Sequence, residues 1–372
     1  MGWGKGHETL LALIASGQVK TSILRAFLRS HSVDEIAGLA GDALGRRLGL
    51  ADRGLSMLGG ATGGSAAMLA GFAAGGVTMV ALGEQGYPML LKEIADPPPA
   101  IFVRGALVEA DGLAVAIVGS RRPSLAGARL TWDLAADLAG AGFTIVSGLA
   151  RGIDTAAHRG ALAAGGRTIA VLGSGVDVVY PPENADLAGA IADHGAILSE
   201  LLPGTAPRKQ HFPRRNRLIS GLAMGTVVVE AGEKSGALST AGFALDQNRT
   251  VFAVPGSPGH ARSKGANRLL KEGARLVEAA EDVLEDLAPQ LSPVGRAAQL
   301  RMPLLPGGSQ SNLSPDEVQV VTLLSDTPVH VDEMARHLGM GAHSVLALLL
   351  ALETRGLVKA LPGKFYVRSG LA

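Results

Sequence analysis

The chain has 372 residues, 47% of them apolar and only 3% aromatic, and a formal charge of +1. That length leaves room for two or three domains, and the charge balance announces no bulk attraction to nucleic acid or membrane. The absence of cysteine excludes disulfides, thiolate catalysis and zinc–thiolate sites.

Met1–Leu10 does not read as a secretory signal, because His7 and Glu8 interrupt it and no long apolar core follows. The expectation is a cytoplasmic protein. Glu8–Ala15, Thr21–Arg29, Val33–Leu39 and Asp42–Leu48 have helical spacing with Gly or Ser between them. Small bundles of this kind bind DNA or protein, or simply pack. Ser16-Gly17-Gln18-Val19 is a poor version of a helix-hairpin-helix turn, so a packing or partner module is the reading preferred. Gly54–Gly83 carries no charge, but its Ala and Gly lack the Leu/Ile/Phe density of a membrane span. It reads as a helix, a turn at Gly75-Gly76 and a strand Val77–Leu82.

Tyr87-Pro88 and Asp96-Pro97-Pro98-Pro99 mark turns. After the short strand Ile101–Arg104, short apolar runs rich in β-branched residues alternate with helical stretches. Strands are expected at Val115–Val118, Phe143–Val146, Thr168–Leu172, Ala196–Leu198, Thr226–Val229, Val251–Val254 and Arg275–Val277. Helices are expected at Ser124–Ala141, Asp154–Ala164, Asn184–Ala192, Asn216–Leu222, Leu238–Gln247 and Ala266–Lys271. Strands that alternate with helices predict an α/β fold with a doubly wound, Rossmann-like parallel sheet.

Pro289–Asn312 has no periodicity and reads as a linker. Ser314-Pro315-Asp316-Glu317 is a capping box with Pro at the first helical position. Helices Pro315–Leu324, Asp332–Leu338 and Ala342–Arg355 and a hairpin around Pro362-Gly363 make a winged helix. Its third helix is apolar with almost no Lys or Arg, so protein contact or packing is preferred to DNA reading, which needs cations for phosphates.

Two turns at the carboxyl ends of adjacent strands, Gly119-Ser120-Arg121 and Ser147-Gly148, combine Gly, a helix N-terminus capped by Ser124, and a positive charge. That combination suits a phosphate. Pro207–Ser220 places five Lys/Arg within ten residues around Phe212, with no Asp or Glu between Glu200 and Glu230. Cations interleaved with an aromatic ring suit a single nucleic-acid strand. The same run reads equally as a solvated basic loop with Phe212 in the core. Glu230–Ala241 is a second Gly-rich strand-to-helix turn, but the G-x-x-x-x-G-K-[ST] spacing is absent, and no G-x-G-x-x-G follows the first strand. ATP and NAD chemistry are therefore disfavoured. Pro255-Gly256-Ser257 adds another flexible edge to the same rim. Asp154 and His158 are either a base with its orienter or, as is more usual at this spacing, an i, i+4 hydrogen-bonded pair fixing a helix start. No residues suggest a metal cage or a cofactor.

In order, A-I-V-G-S-R, V-S-G-L-A-R-G-I-D-x-x-A-H, F-P-R-R-N-R-L-I-S-G-L, V-V-V-E-A and S-G-A-L-S-T-A resemble the DNA-processing protein A (DprA/Smf) family. Y-P-x-x-L and D-P-P-P-A-I-F-V-R-G before them fit as well. The resemblance is dense over Val77–Leu287. It implies a small helical, SAM-like domain (1–75), an extended Rossmann-like domain (76–288), a linker (289–312) and a winged helix (313–372). It implies a non-enzymatic protein that binds single-stranded DNA without sequence preference. Such a protein would form a homodimer and load the RecA recombinase during natural transformation. Carried over by motif, the DNA-binding residues are Gly119, Ser120, Arg121, Ser147, Gly148, Lys209, Phe212, Arg214, Asn216 and Arg217, with Lys234 and Ser235 behind them. The competing class is a Rossmann-like enzyme or sensor for a nucleotide-derived small molecule. Such folds use a P-G-G-x-G-T-x-x-E string that this sequence lacks.

Overall fold

The structure is a computed structural model that describes residues 3–17, 19–38, 64–290, 320, 323–324, 329–338, 340–354, 358–361 and 363–368. The expected helix Asp42–Leu48, the capping box at Ser314–Glu317 and most of both the linker and the helix Pro315–Leu324 lie outside these residues. The chain divides into two compact units, Met1–Gln299 and Leu300–Ala372.

The first unit is built on a nine-stranded sheet. Its strands are β1 (Val77–Ala81), β2 (Ala100–Gly105), β3 (Ala114–Gly119), β4 (Thr144–Ser147), β5 (Thr168–Val171), β6 (Ala196–Ser199), β7 (Gly225–Val229), β8 (Thr250–Ala253) and β9 (Arg275–Leu276). The order is β1-β2-β6-β5-β4-β3-β7-β8-β9. From β6 to β9 every pairing is parallel, while β2 joins β6, and β1 joins β2, antiparallel. The chain winds outward from β3 through β4, β5 and β6, then returns to β7 on the other side. The β3/β7 boundary is thus the point where strand order reverses, and crevices open there at the carboxyl ends of strands.

The β-branched runs fold this way because both faces of the sheet are covered. In β3, Ala114, Ala116 and Val118 enter one buried cluster, and Val115 and Ile117 enter the other. Helices α1 (Lys5–Ser16), α2 (Thr21–Leu28) and α3 (Val33–Gly38) pack with a fourth, α4 (64–74), beyond the antiparallel edge. Leu10, Leu24 and Phe27 share one cluster with Val77 and Met79. Trp3 Nε1 donates to the Met79 carbonyl at 3.3 Å, Arg29 Nη2 donates to the Ile94 carbonyl at 3.2 Å, and Arg25 pairs with Asp96. The described part of the uncharged stretch, 64–83, forms as expected a helix, a glycine turn with Gly76 at φ +69°, and strand β1. No helix of the described residues is long and apolar enough to cross a membrane.

Between the strands run α5 (Met89–Glu93), α6 (Leu125–Gly140), α7 (Ile153–Ala163), α8 (Ala185–His194), α9 (His211–Gly221), α10 (Gly236–Asp246), α11 (Lys264–Lys271) and α12 (Ala280–Leu287). In the second unit the described residues form α13 (Val331–Leu338), α14 (Ala342–Thr354) and a three-stranded sheet of β10 (Val329–His330), β11 (Val358–Leu361) and β12 (Phe365–Arg368), ordered β10-β12-β11. Val345, Leu349 and Leu352 of α14 are buried against Val331, Met334 and Val358. The apolar third helix is therefore partly spent on its own small core.

Candidate functional site

The basic run departs from its expected form. Helix α9 begins at His211 rather than at Asn216. Pro213 falls in the first helical turn, where its missing N–H costs nothing and its fixed φ suits the helix. At 100° per residue the helix then sends its cations to different faces instead of presenting one patch. Arg215 and Arg217 are buried, Arg214 is exposed, and Arg208 and Lys209 stand exposed just ahead of the helix.

Phe212, in that first turn, is the centre of a compact cluster. Its ring packs on Gly173, where an added Cβ would lie 3.0 Å from Phe212 Cδ1. The Tyr180 ring centroid is 5.6 Å away, and Tyr180 is 40% exposed. The guanidinium carbons of Arg121 and Arg215 lie 5.7 and 5.9 Å from the Phe212 centroid. The turn after β3, the loop after β5 and the start of α9 thus meet at one aromatic surface with two cations against it. Arg121, Arg122, Arg208, Lys209 and Lys234 are exposed and form no salt bridge among the described residues.

Arg215 lies beneath this surface. Its Nη1 donates to the Gly148 carbonyl at 2.8 Å and to the Val171 carbonyl. Burial lowers its guanidinium to about 10, against the attraction of Asp154. It therefore remains charged at neutral pH, a fixed positive centre under the ring. A Cβ on Gly148 would meet Arg215 Nη1 at 2.1 Å, so this glycine makes room for the guanidinium rather than for a ligand. Gly119 likewise serves packing, since a Cβ there would lie 1.9 Å from the Val229 carbonyl.

Other expected contact residues are already engaged. Ser147 is fully buried and donates to the Ile117 carbonyl at 2.6 Å, so its hydroxyl offers no surface. Asn216 is buried and donates to the Gly236 carbonyl at 3.3 Å, tying α9 to the first turn of α10. Arg217 Nη2 lies 2.5 Å from Glu200 Oε2, and its Nε lies 3.3 Å from Asp96 Oδ2. Arg214 Nε pairs with Glu200 Oε1 at 3.0 Å. Two cations of the basic run, Arg214 and Arg217, are thus neutralised locally by Glu200, with Asp96 adding to the pairing of Arg217. Ser120 is half-exposed, with its Oγ accepting from Arg122 N at 3.1 Å. Ser235 caps α10, accepting from Ala237 N at 3.3 Å.

The second correction concerns the helix that follows β3. Ser124 caps it as expected, accepting from Gly127 N at 2.9 Å. But Glu230 reaches across from the end of β7, taking Ser124 N at 2.8 Å and the Ser124 hydroxyl as well. Glu230 does this with φ +48°, a left-handed backbone that costs a non-glycine residue on the order of 1–3 kcal/mol. Sequence reasoning missed this pairing because 106 residues separate the partners. The anion-accepting helix terminus at the strand-order reversal is filled by the protein's own carboxylate.

Asp154 and His158 do not bond to each other. Asp154 Oδ2 accepts from Gly148 N at 3.1 Å and Ala150 N at 3.3 Å, shaping the turn after β4. Burial raises its carboxyl, opposed by Arg215. His158 Nδ1 lies 2.7 Å from Thr168 Oγ1, and burial pushes its imidazole down to about 3, with Arg215 adding to the shift. Both side chains are buried. Asn184, which no motif singled out, holds the left-handed Leu149 (φ 57°) through its carbonyl at 2.9 Å.

Residues 78–288 match the family model described as DNA recombination-mediator protein A. The chain belongs to the DprA/Smf family. Residues 306–364 match the DprA winged helix domain. A Smf protein of Synechocystis is 37% identical, over 76% of this chain and 78% of the relative, and the Bacillus subtilis DprA is 43% identical, over 57% and 72%. The Streptococcus pneumoniae DprA structure superposes with TM-score 0.64 at 34% identity, covering 77% of this chain and 99% of that one. A Helicobacter pylori DprA structure, described for its single-stranded DNA binding mode, superposes with TM-score 0.52 at 30% identity, covering 58% and 97%. The extended Rossmann-like sheet and the winged helix are thus features of the family.

Proposed function

We propose that this protein binds single-stranded DNA without sequence preference at the Arg121–Phe212 cluster. The observation that carries the reading is a partly exposed aromatic pair, Tyr180 and Phe212, flanked by Arg121 and underlain by Arg215. Cations follow phosphates of any sequence, and every base has a face to stack. Arg121, Lys209 and Phe212 carry binding in this account, with Ser120 beside them, and Lys234 and Ser235 extend the rim. Gly119, Ser147, Gly148, Asn216 and Arg217 hold its shape, and Arg214 stands at its edge. The single-stranded DNA binding of the Helicobacter pylori relative supports the same reading.

The finer reading is that the protein, as a cytoplasmic homodimer, delivers incoming strands to the RecA recombinase in natural transformation without itself catalysing a reaction. Its proposed division is a helical domain over 1–75, the sheet domain over 76–288, a linker over 289–312 and a winged helix over 313–372. Family membership supports this, as do the two engaged groups Asp154 and His158. The deciding experiment is a titration with labelled oligo-dT, a matched duplex and a panel of nucleotides, with turnover of ATP and NAD followed in parallel. Tight binding to oligo-dT over duplex and nucleotides is expected. Preference for a nucleotide, or turnover that Asp154→Ala or His158→Ala abolishes, refutes the reading.

A further inference from the structure

Beside the line where α6 and α7 pack together, an open groove of about 470 Å³ runs along the protein surface. Its wall includes Pro123, Arg129, Trp132, Gly152, Thr155 and Arg159. The groove is continuous with the turn that carries Arg121. A Cβ on Gly152 would lie 2.4 Å from the Ser120 carbonyl oxygen, 2.7 Å from Pro123 and 2.8 Å from the Arg121 carbonyl carbon. Arg122 is exposed in the same turn, and Leu125, just beyond it at the start of α6, is 92% exposed.

The chemistry of the wall repeats that of the rim. Trp132 is a partly exposed indole, and Arg159 is an exposed cation with no salt bridge among the described residues. Arg129 is 76% exposed in its side chain and pairs with Asp133 at 2.9 Å, one helical turn further on. No carboxylate lines the groove. Gly152, Ala128 and Ala156 keep its floor low enough for a planar group to approach. An indole and two guanidinium groups lining one groove suit a base and its neighbouring phosphates, which stacking and counterion release both favour.

We propose that the strand held at the Arg121–Phe212 cluster continues into this groove, with a base against Trp132 and phosphates at Arg159 and Arg129. The inference rests on reading the rim as a single-strand site. Trp132 stands eight residues beyond Ser124, about 12 Å along a helix, so only a strand longer than the rim contact reaches it.

The test uses the full chain carrying Trp3→Phe, which leaves Trp132 as its one tryptophan, and oligo-dT of about 4 and about 20 nucleotides, which bracket the roughly 4–16 nucleotides that a single-strand-binding fold covers. The longer strand quenches Trp132 fluorescence. Arg159→Ala, an exposed change made also in the unaltered chain, weakens the longer strand roughly fivefold or more and lowers its salt slope by about 0.7. The short strand binds that variant as it binds wild type. Anisotropy that shows the longer strand bound while Trp132 is unmoved overturns the proposal, as does Arg159→Ala with wild-type affinity at both lengths. A different failure, loss of neither length on Arg121→Ala and Phe212→Ala, removes the rim reading and this inference with it.

Discussion

Replacing Phe212 separates stacking from charge. The ring touches Gly173, neighbours Tyr180 at 5.6 Å and has Arg121 at 5.7 Å. Phe212→Ala therefore removes a stacking face, worth about 1–3 kcal/mol per base, and a cation–π contact that holds Arg121, worth about 0.5–1 kcal/mol at an exposed site. Phe212→Leu keeps most of the volume on Gly173 and loses both π terms, which makes it the cleaner variant. The expected loss for oligo-dT is about 1.5–4 kcal/mol, or roughly tenfold to several hundredfold at 1.4 kcal/mol per decade. The slope of log K against log salt should stay near its wild-type value, because a ring releases no counterion. Duplex affinity should change little, since paired bases cannot turn onto the ring. Anisotropy with oligo-dT and a matched duplex at several salt concentrations measures all three quantities. Wild-type affinity of Phe212→Leu for oligo-dT, or a loss equal for both DNAs, refutes the stacking argument.

Arg121→Ala and Lys209→Ala should each weaken all sequences and lower the single-strand salt slope by about 0.7 per lost phosphate contact; Arg217→Ala should instead leave the slope unchanged and lower stability, by less than the roughly 3–5 kcal/mol of a fully broken buried pair, because buried Glu200 keeps only the exposed Arg214. Removing Pro303–Ala372 should leave oligo-dT affinity within about tenfold, or 1.4 kcal/mol. The His158 imidazole sits at about 3 when folded, against about 6.5 when unfolded. The unfolded state therefore binds more protons in that window, so the stability His158 contributes above pH ~6.5 is lost as pH falls toward about 3, by up to about 1.4 kcal/mol per pH unit. Buried Asp154, whose carboxyl is raised, works in the opposite sense. The measurement is accordingly the difference in urea midpoint between wild type and His158→Gln across pH 7 to 5, which should shrink in the acid range.

The sheet was legible because a parallel strand buried on both faces has to be a short, unbroken apolar run, as Val115–Val118 and Thr226–Val229 are. The Ser124 cap was legible because capping is local. What sequence could not show is what lies opposite. Glu200 lies in a loop after β6, yet it pairs with two arginines of α9. Asp96 reaches Arg217 only because β2 lies beside β6. The run Pro207–Ser220 therefore read as a free basic patch, although two of its cations are neutralised and a third is internal. The signal that did survive is the pairing of Phe212 with cations, since its first-turn position on α9 aims it at the rim. Tyr180 had no motif to betray it; only the meeting of the β5 loop with α9 brings it to Phe212.

Glu230 changes what this kind of sheet can bind. In a doubly wound sheet the helix after the first parallel strand ordinarily meets a phosphate at its N-terminus, where free N–H groups and the helix dipole favour an anion. Here a carboxylate from β7 fills that place, taking both the N–H and the hydroxyl of Ser124. A pyrophosphate brought there would have to displace a bonded anion and would lie against its charge. Exposed cations without a salt bridge among the described residues include Arg121 and Arg122 after β3, Arg208 and Lys209 ahead of α9, and Lys234 ahead of α10. Attraction for an anion then rests on several exposed cations rather than on one helix end. One helix end suits a compact nucleotide, held by several donors at once. Separated cations beside stacked rings suit a polymer whose charges recur and whose bases are free. On the proposed function, one glutamate held at φ +48° and bonded to Ser124 thus disfavours a compact nucleotide at this helix end and leaves the exposed rim to a strand.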